Sequence, residues 1–142
     1  MATVAGVLSA ETNCKVLVVD DDDAQRHAMV QMLEQAGFKV IEATSGRDAL
    51  AAVLEQRPDV VLLDLILPDV NGLTFGNALR EKPTTHKPAI IYYSSVTTPQ
   101  EHCNWDRRQM GSFLTAPVEP DQLVSVVRGA LARAETAENG NS

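Results

Sequence analysis

Val60-Val61-Leu62-Leu63-Asp64 decides how this chain is read. A run of four apolar residues with no polar alternation does not suit a strand with one wet face. It reads as a strand covered on both sides, in the middle of a parallel sheet. The run ends on a carboxylate, and two other apolar runs end on a carboxylate pair and on a hydroxyl. Lys15-Val16-Leu17-Val18-Val19 leads into Asp20 and Asp21, and Pro88-Ala89-Ile90-Ile91-Tyr92-Tyr93 leads into Ser94. Open α/β sheets build their sites at the carboxyl ends of such strands. One crevice would then gather three carboxylates and a hydroxyl. Carboxylates that close raise one another's pKa, so the cluster calls for a cation or a proton. A ligand set made only of oxygen favours Mg²⁺.

Helical patterns alternate with the strands. Asp23 is placed to cap a helix running to about Ala36, with an apolar stripe through Ala28, Met29, Met32, Leu33 and Ala36, and Gly37 supplies its stop. Phe38 to Ala43 is a second strand. Ser45-Gly46 opens a helix with Ala49, Leu50, Val53 and Leu54 on one face, ended by Pro58. After Asp64 the loop LILPDVNG precedes a helix from about Leu73 to Glu81. Thr98-Pro99 opens a fourth, weakly amphipathic helix that carries Trp105. Ser112 to Thr115 is a short fifth strand. The last helix follows Asp121, with Leu123, Val126, Val127, Ala130, Leu131 and Ala134 on its buried stripe. Five βα units predict an α/β fold, a doubly wound five-stranded parallel sheet of the flavodoxin-like order 2-1-3-4-5. That order makes strands 1 and 3 neighbours at the switch point, where Asp20, Asp21 and Asp64 meet. The expected organisation is a flexible head over residues 1–13, one domain over 14–134 and a disordered polar tail over 135–142.

Composition limits the alternatives. With 142 residues and 44% hydrophobic content the chain can bury a full core but has no room for a second domain. A formal net charge of −7 argues against nucleic acid or an anionic membrane as the main partner. Cys14 and Cys103 fit neither a metal spacing nor a disulfide framework. No stretch approaches the roughly 20 apolar residues of a membrane span, and the first residues lack a signal-peptide pattern, so a cytoplasmic location is expected.

The segments VLVVDDDDAQRHAM, VVLLDLILPDVNGL, the strand ending in Ser94 and FLTAPVEPDQL resemble, in order and spacing, the motifs of response-regulator receiver domains of two-component signalling. The resemblance covers about residues 14 to 134. It implies a domain that accepts a phosphoryl group on Asp64 from a histidine kinase or a phosphotransfer protein. It further implies Mg²⁺ held by Asp20, Asp21, Asp64 and the backbone carbonyl of Ile66, with Pro68 and Gly72 shaping the loop. Ser94 would hydrogen-bond the transferred group, and Phe113 stands where the family has its switch aromatic. The face formed by the fourth helix, strand 5 and the last helix is the family's common partner or dimer face, and Trp105 and Phe113 lie on or beside it. Phosphorylation of its own aspartate would be the only chemistry, and the output would leave through protein binding.

Plainer readings stand beside these. Asp22 and Asp23 suit a helix start, where negative charge is favoured. Phe113, Tyr92, Tyr93 and Trp105 suit ordinary packing, and His27, His86 and His102 show no metal spacing. One departure bears on function: the family's Lys at the end of strand 5 is Ala116 here, ahead of Pro117. Lys87, Arg107 and Arg108 are the basic residues left to supply that charge. The alternative is therefore a pseudo-receiver, an interaction module that works without phosphorylation. An aspartate-based phosphatase would need Thr or Val at Ala24, and a flavin phosphate would meet four aspartates after strand 1.

Overall fold

Five strands form one parallel sheet in this computed structural model: β1 (Lys15–Val19), β2 (Lys39–Ala43), β3 (Val60–Asp64), β4 (Ala89–Ser94) and β5 (Ser112–Thr115). Their order across the sheet is β2-β1-β3-β4-β5, as the alternating pattern predicts. The structure describes residues 14–81, 88–94, 112–115 and 118–140, with side chains up to residue 133. The helix expected from Thr98-Pro99, with Trp105, lies outside the described residues, as do Ala116, Pro117, Lys87, Arg107, Arg108 and the head over 1–13.

Four helices are described: α1 (Asp23–Gln35), α2 (Gly46–Gln56), α3 (Gly72–Glu81) and α4 (Pro120–Gly140). The cap of α1 is Asp22 rather than Asp23. Its carboxylate accepts the Gln25 N–H at 3.0 Å, while Asp23 enters the first turn as a helical residue. At the other end Gly37 takes φ 101°, so its N–H meets the Glu34 carbonyl and that of Phe38 the Leu33 carbonyl, a Schellman stop. The last helix continues to Gly140, where a disordered tail is expected from residue 135; Ala134, Glu135, Ala137 and Glu138 are strong helix formers.

The sheet divides the core in two. Val16, Val18, Val60, Leu62, Ile91 and Tyr93 face α1 and α4, whereas Leu17, Val19, Val61, Leu63, Ile90 and Tyr92 face α2 and α3. Val60, Val61, Leu62 and Leu63 are all fully buried, as expected of a strand covered on both faces. Such burial contributes about 1.5–3 kcal/mol per side chain. Two helix stripes differ from the sequence reading. In α1 the buried residues are Arg26, Met29, Val30 and Leu33, with Ala28 exposed. In α2 they include Ala49, Ala52 and Val53, with Leu54 exposed.

Candidate functional site

The register sets three side chains level at one edge. Val19 pairs with Leu63, and Asp64 pairs with Tyr93. The residue after Val19 therefore stands beside Asp64, and Tyr93 stands on the far side of it. Strand alternation turns Asp20, Asp64 and Tyr93 toward the α1/α4 layer, because Val18, Leu62 and Ile91 already face it. The chain leaves β1 toward β2 and β3 toward β4, on opposite sides, which opens the crevice between β1 and β3.

Asp20, Asp21 and Asp64 each bring a carboxylate oxygen within 4.8 Å of the others. Asp20 is buried, Asp21 exposed and Asp64 in between. Oδ1 of Asp20 accepts the Asp22 N–H at 2.9 Å. Its Oδ2 is also buried, and no described residue donates to it. A buried carboxylate oxygen without a donor is costly, so among the described residues this atom is left open to a cation or a donor. Asp64 Oδ1 accepts the Ile66 N–H at 3.0 Å, which fixes the carboxylate's rotation. Burial pushes the Asp64 carboxyl up to about 7; the Ile66 N–H opposes this, while the Asp20 and Asp21 charges reinforce it. The donor set is all oxygen and close enough to share one ion, and it suits Mg²⁺.

The loop after Asp64 is shaped by contacts that its residue types require. A Cβ at Gly72 would fall on the carbonyl oxygen of Asp64, so the chain can fold back over the strand end only at glycine. The Gly72 N–H then bonds the Leu65 carbonyl at 2.8 Å. Asn71 caps α3 through Leu73 and Thr74, and Asp69 accepts the N–H groups of Gly46 and Arg47. Ile66 is 58% exposed, a large apolar side chain beside the acids. Ser94 is buried at the end of β4. Phe113 is half-buried, in register with Tyr92 and packed on the α2/α3 side.

Two residues at the site are not evident from sequence patterning. Arg26 is 7% exposed, and its guanidinium donates to the Asp20 carbonyl at 2.9 Å, to Glu42 Oε1 at 2.9 Å and to Asp23 Oδ1 at 2.7 Å. Tyr93 is fully buried, and its hydroxyl crosses from β4 to donate to the Val19 carbonyl at 3.0 Å. Burial raises the Tyr93 pKa, helped by the charge of Asp20, so the hydroxyl keeps its proton. The only signal for Arg26 was its i+3 spacing from Asp23.

The model of the response regulator receiver domain matches residues 16–128. This chain belongs to that family. It is 33% identical over 122 residues to Protein PilH of Pseudomonas aeruginosa, covering 83% of this chain and 98% of that one. It is 33% identical over 121 residues to the DNA-binding response regulator MtrA of Mycolicibacterium smegmatis, covering 85% of this chain but 52% of that one. The chain thus spans about half the length of several of the longer relatives it matches. The chemotaxis response regulator CheY4 of Vibrio cholerae superposes with a TM-score of 0.73 at 29% identity, over 83% of this chain and 98% of that one. Receiver domains belong to two-component response regulators, bind Mg²⁺ through acidic residues and interact with histidine kinases or phosphotransfer proteins; in general they are not enzymes in their own right. Among the described residues no helix is long and apolar enough to cross a membrane.

Proposed function

We propose that this receiver, over residues 14–134, takes a phosphoryl group onto Asp64 from a histidine kinase or phosphotransfer protein and signals by binding a protein partner in the cytoplasm. The observation that carries the reading is the convergence of the Asp20, Asp21 and Asp64 carboxylates, one of which, Asp20, buries an Oδ2 to which no described residue donates. The residues that would hold Mg²⁺ are Asp20, Asp21, Asp64 and Ile66 through its backbone carbonyl. Bound there, Mg²⁺ supplies the positive charge that offsets repulsion between a carboxylate and an incoming phosphoryl group.

Asp64 is the nucleophile because it is central, partly accessible and held in one orientation by the Ile66 N–H. A carboxylate oxygen of Asp64 forms the new bond to phosphorus as the phosphorus–nitrogen bond of the donor's phosphohistidine breaks. The electron pair stays on the imidazole nitrogen, which takes a proton from water. The product is an acyl phosphate, and the Ser94 hydroxyl donates to one of its oxygens. That pull on the end of β4 would change the packing of Phe113 on β5 and so the partner or dimer face formed by β5, α4 and the segment before β5.

Ala116 favours a second reading, the phosphorylation-independent interaction module, since a methyl group cannot replace an ammonium beside the phosphoryl oxygens. Incubation with Mg²⁺ and acetyl phosphate, followed by mass mapping, separates the two. A phosphoryl adduct on the Asp64 peptide, absent from Asp64→Asn, supports the acceptor. No adduct under any Mg²⁺ concentration leaves the module.

A further inference from the structure

Asp20 is held from every side except the one that faces the cluster. Its N–H donates to the Ala43 carbonyl at 3.1 Å, its Oδ1 accepts from Asp22, and its own carbonyl accepts from Arg26. The carbonyl one residue earlier, on Val19, accepts from Tyr93. A phenylalanine at position 93 would fill the same apolar layer without burying a hydroxyl, and burial of a polar group is unfavourable unless it is bonded. The buried guanidinium of Arg26 likewise directs one arm of its fork at main chain and the other two positions at Glu42 on β2 and Asp23 on α1. Both side chains therefore act on the peptide groups that aim Asp20.

We propose that Tyr93 and Arg26 are positioning residues that clamp the Val19–Asp20 main chain, keep Asp20 Oδ2 directed into the cluster, and thereby set its preference for Mg²⁺ over Ca²⁺. The inference rests on the reading of the cluster as a cation site. Mg²⁺ needs nearly ideal octahedral geometry at short distances, whereas Ca²⁺ accepts longer and irregular ones. A loosened Asp20 costs the smaller ion more. Groups that orient a metal ligand are typically worth 10- to 100-fold in affinity.

The test titrates the metal-free full chain with MgCl₂ and separately with CaCl₂, by calorimetry and by NMR, in wild type, Tyr93→Phe and Arg26→Lys. Tyr93→Phe keeps the ring; Arg26→Lys keeps the charge but loses the fork. The expected result is Mg²⁺ affinity lower by about 10-fold in each variant, with Ca²⁺ affinity lower by less than about 3-fold, so the ratio narrows. Thermal melts of the metal-free proteins report stability separately, and either variant alone suffices if the other fails to fold. An unchanged Mg²⁺/Ca²⁺ ratio in a folded variant, whatever its melting temperature, overturns the clamp and leaves the cation site standing. A wild-type protein that binds neither ion overturns both.

Discussion

Asp69 accepts the N–H of Gly46 at 2.8 Å, so the loop that follows Asp64 is fastened to the first turn of α2. The second oxygen takes the Arg47 N–H at 3.0 Å. One carboxylate thus satisfies two amides that a helix start leaves without partners. The Gly46 and Arg47 N–H groups hold the Asp69 carboxyl below the usual carboxylate range. A depressed pKa contributes stability that is fully present above the unfolded value of about 4 and is lost as pH falls through the lower folded value. Asp69→Asn should therefore melt at a lower temperature than wild type at pH 7. The gap should close as the pH is taken from about 5 toward 3 in circular-dichroism melts.

Asp64 gives the opposite sign. In the metal-free fold its carboxyl keeps its proton up to about 7, against about 4 in the unfolded chain. The folded state binds more protons between those values, so its stability falls as pH rises through that window. Asp64→Asn should match wild type near pH 4 and exceed it increasingly up to pH 8. Adding Mg²⁺ at pH 8 should raise the wild-type melting temperature and leave that of the variant nearly still. A constant gap across pH would mean that Asp64 is not the titrating group.

A Cβ at Gly76 would fall on the hydroxyl of Tyr92, whose ring packs over α3 with the Arg80 guanidinium 5.6 Å from its centroid. Alanine in a helix interior gains about 1 kcal/mol over glycine, while overpacking costs about 1–3 kcal/mol. The second effect wins, and Gly76→Ala should be destabilising. In a Tyr92→Phe background the nearest atom is gone and the ring carbon Cζ, 2.7 Å from that Cβ, is left to yield, so the same substitution should cost less. Urea unfolding of the double-mutant cycle measures the difference.

Ala116→Lys restores the charge that the family places there. A charge-assisted hydrogen bond contributes about 1.5–3 kcal/mol, comparable to the few kcal/mol separating typical conformers. The NMR shift changes at Ser94 and Phe113 on adding a beryllofluoride mimic should be larger in Ala116→Lys than in wild type. Equal, large changes would mean that another residue supplies the charge.

The strands were legible because each is an apolar run, and the acid cluster was legible because parallel register makes carboxyl ends meet. The α1 stripe departs from its apolar pattern at Ala28, which is exposed, and at Arg26, which is buried. Arginine counts as polar in any pattern, and only acceptors brought from β2 and the β1 end make its burial tolerable. Leu54 departs for the converse reason, since the layer over α2 is filled by Ala49, Ala52 and Val53 and leaves a leucine outside. The clamp on Asp20 was hidden because its acceptors are main-chain carbonyls, which every residue carries and no sequence displays.

Tyr92 and Tyr93 are successive residues of one strand, yet the sheet puts them in opposite layers. They are also the two tyrosines of the chain. Fluorotyrosine incorporated throughout would therefore give two ¹⁹F resonances, one listening to the α2/α3 layer and one to the acid cluster from the α1/α4 layer. An event at Asp20 that moves only the second line is local to the cation site, and one that moves both has crossed the sheet.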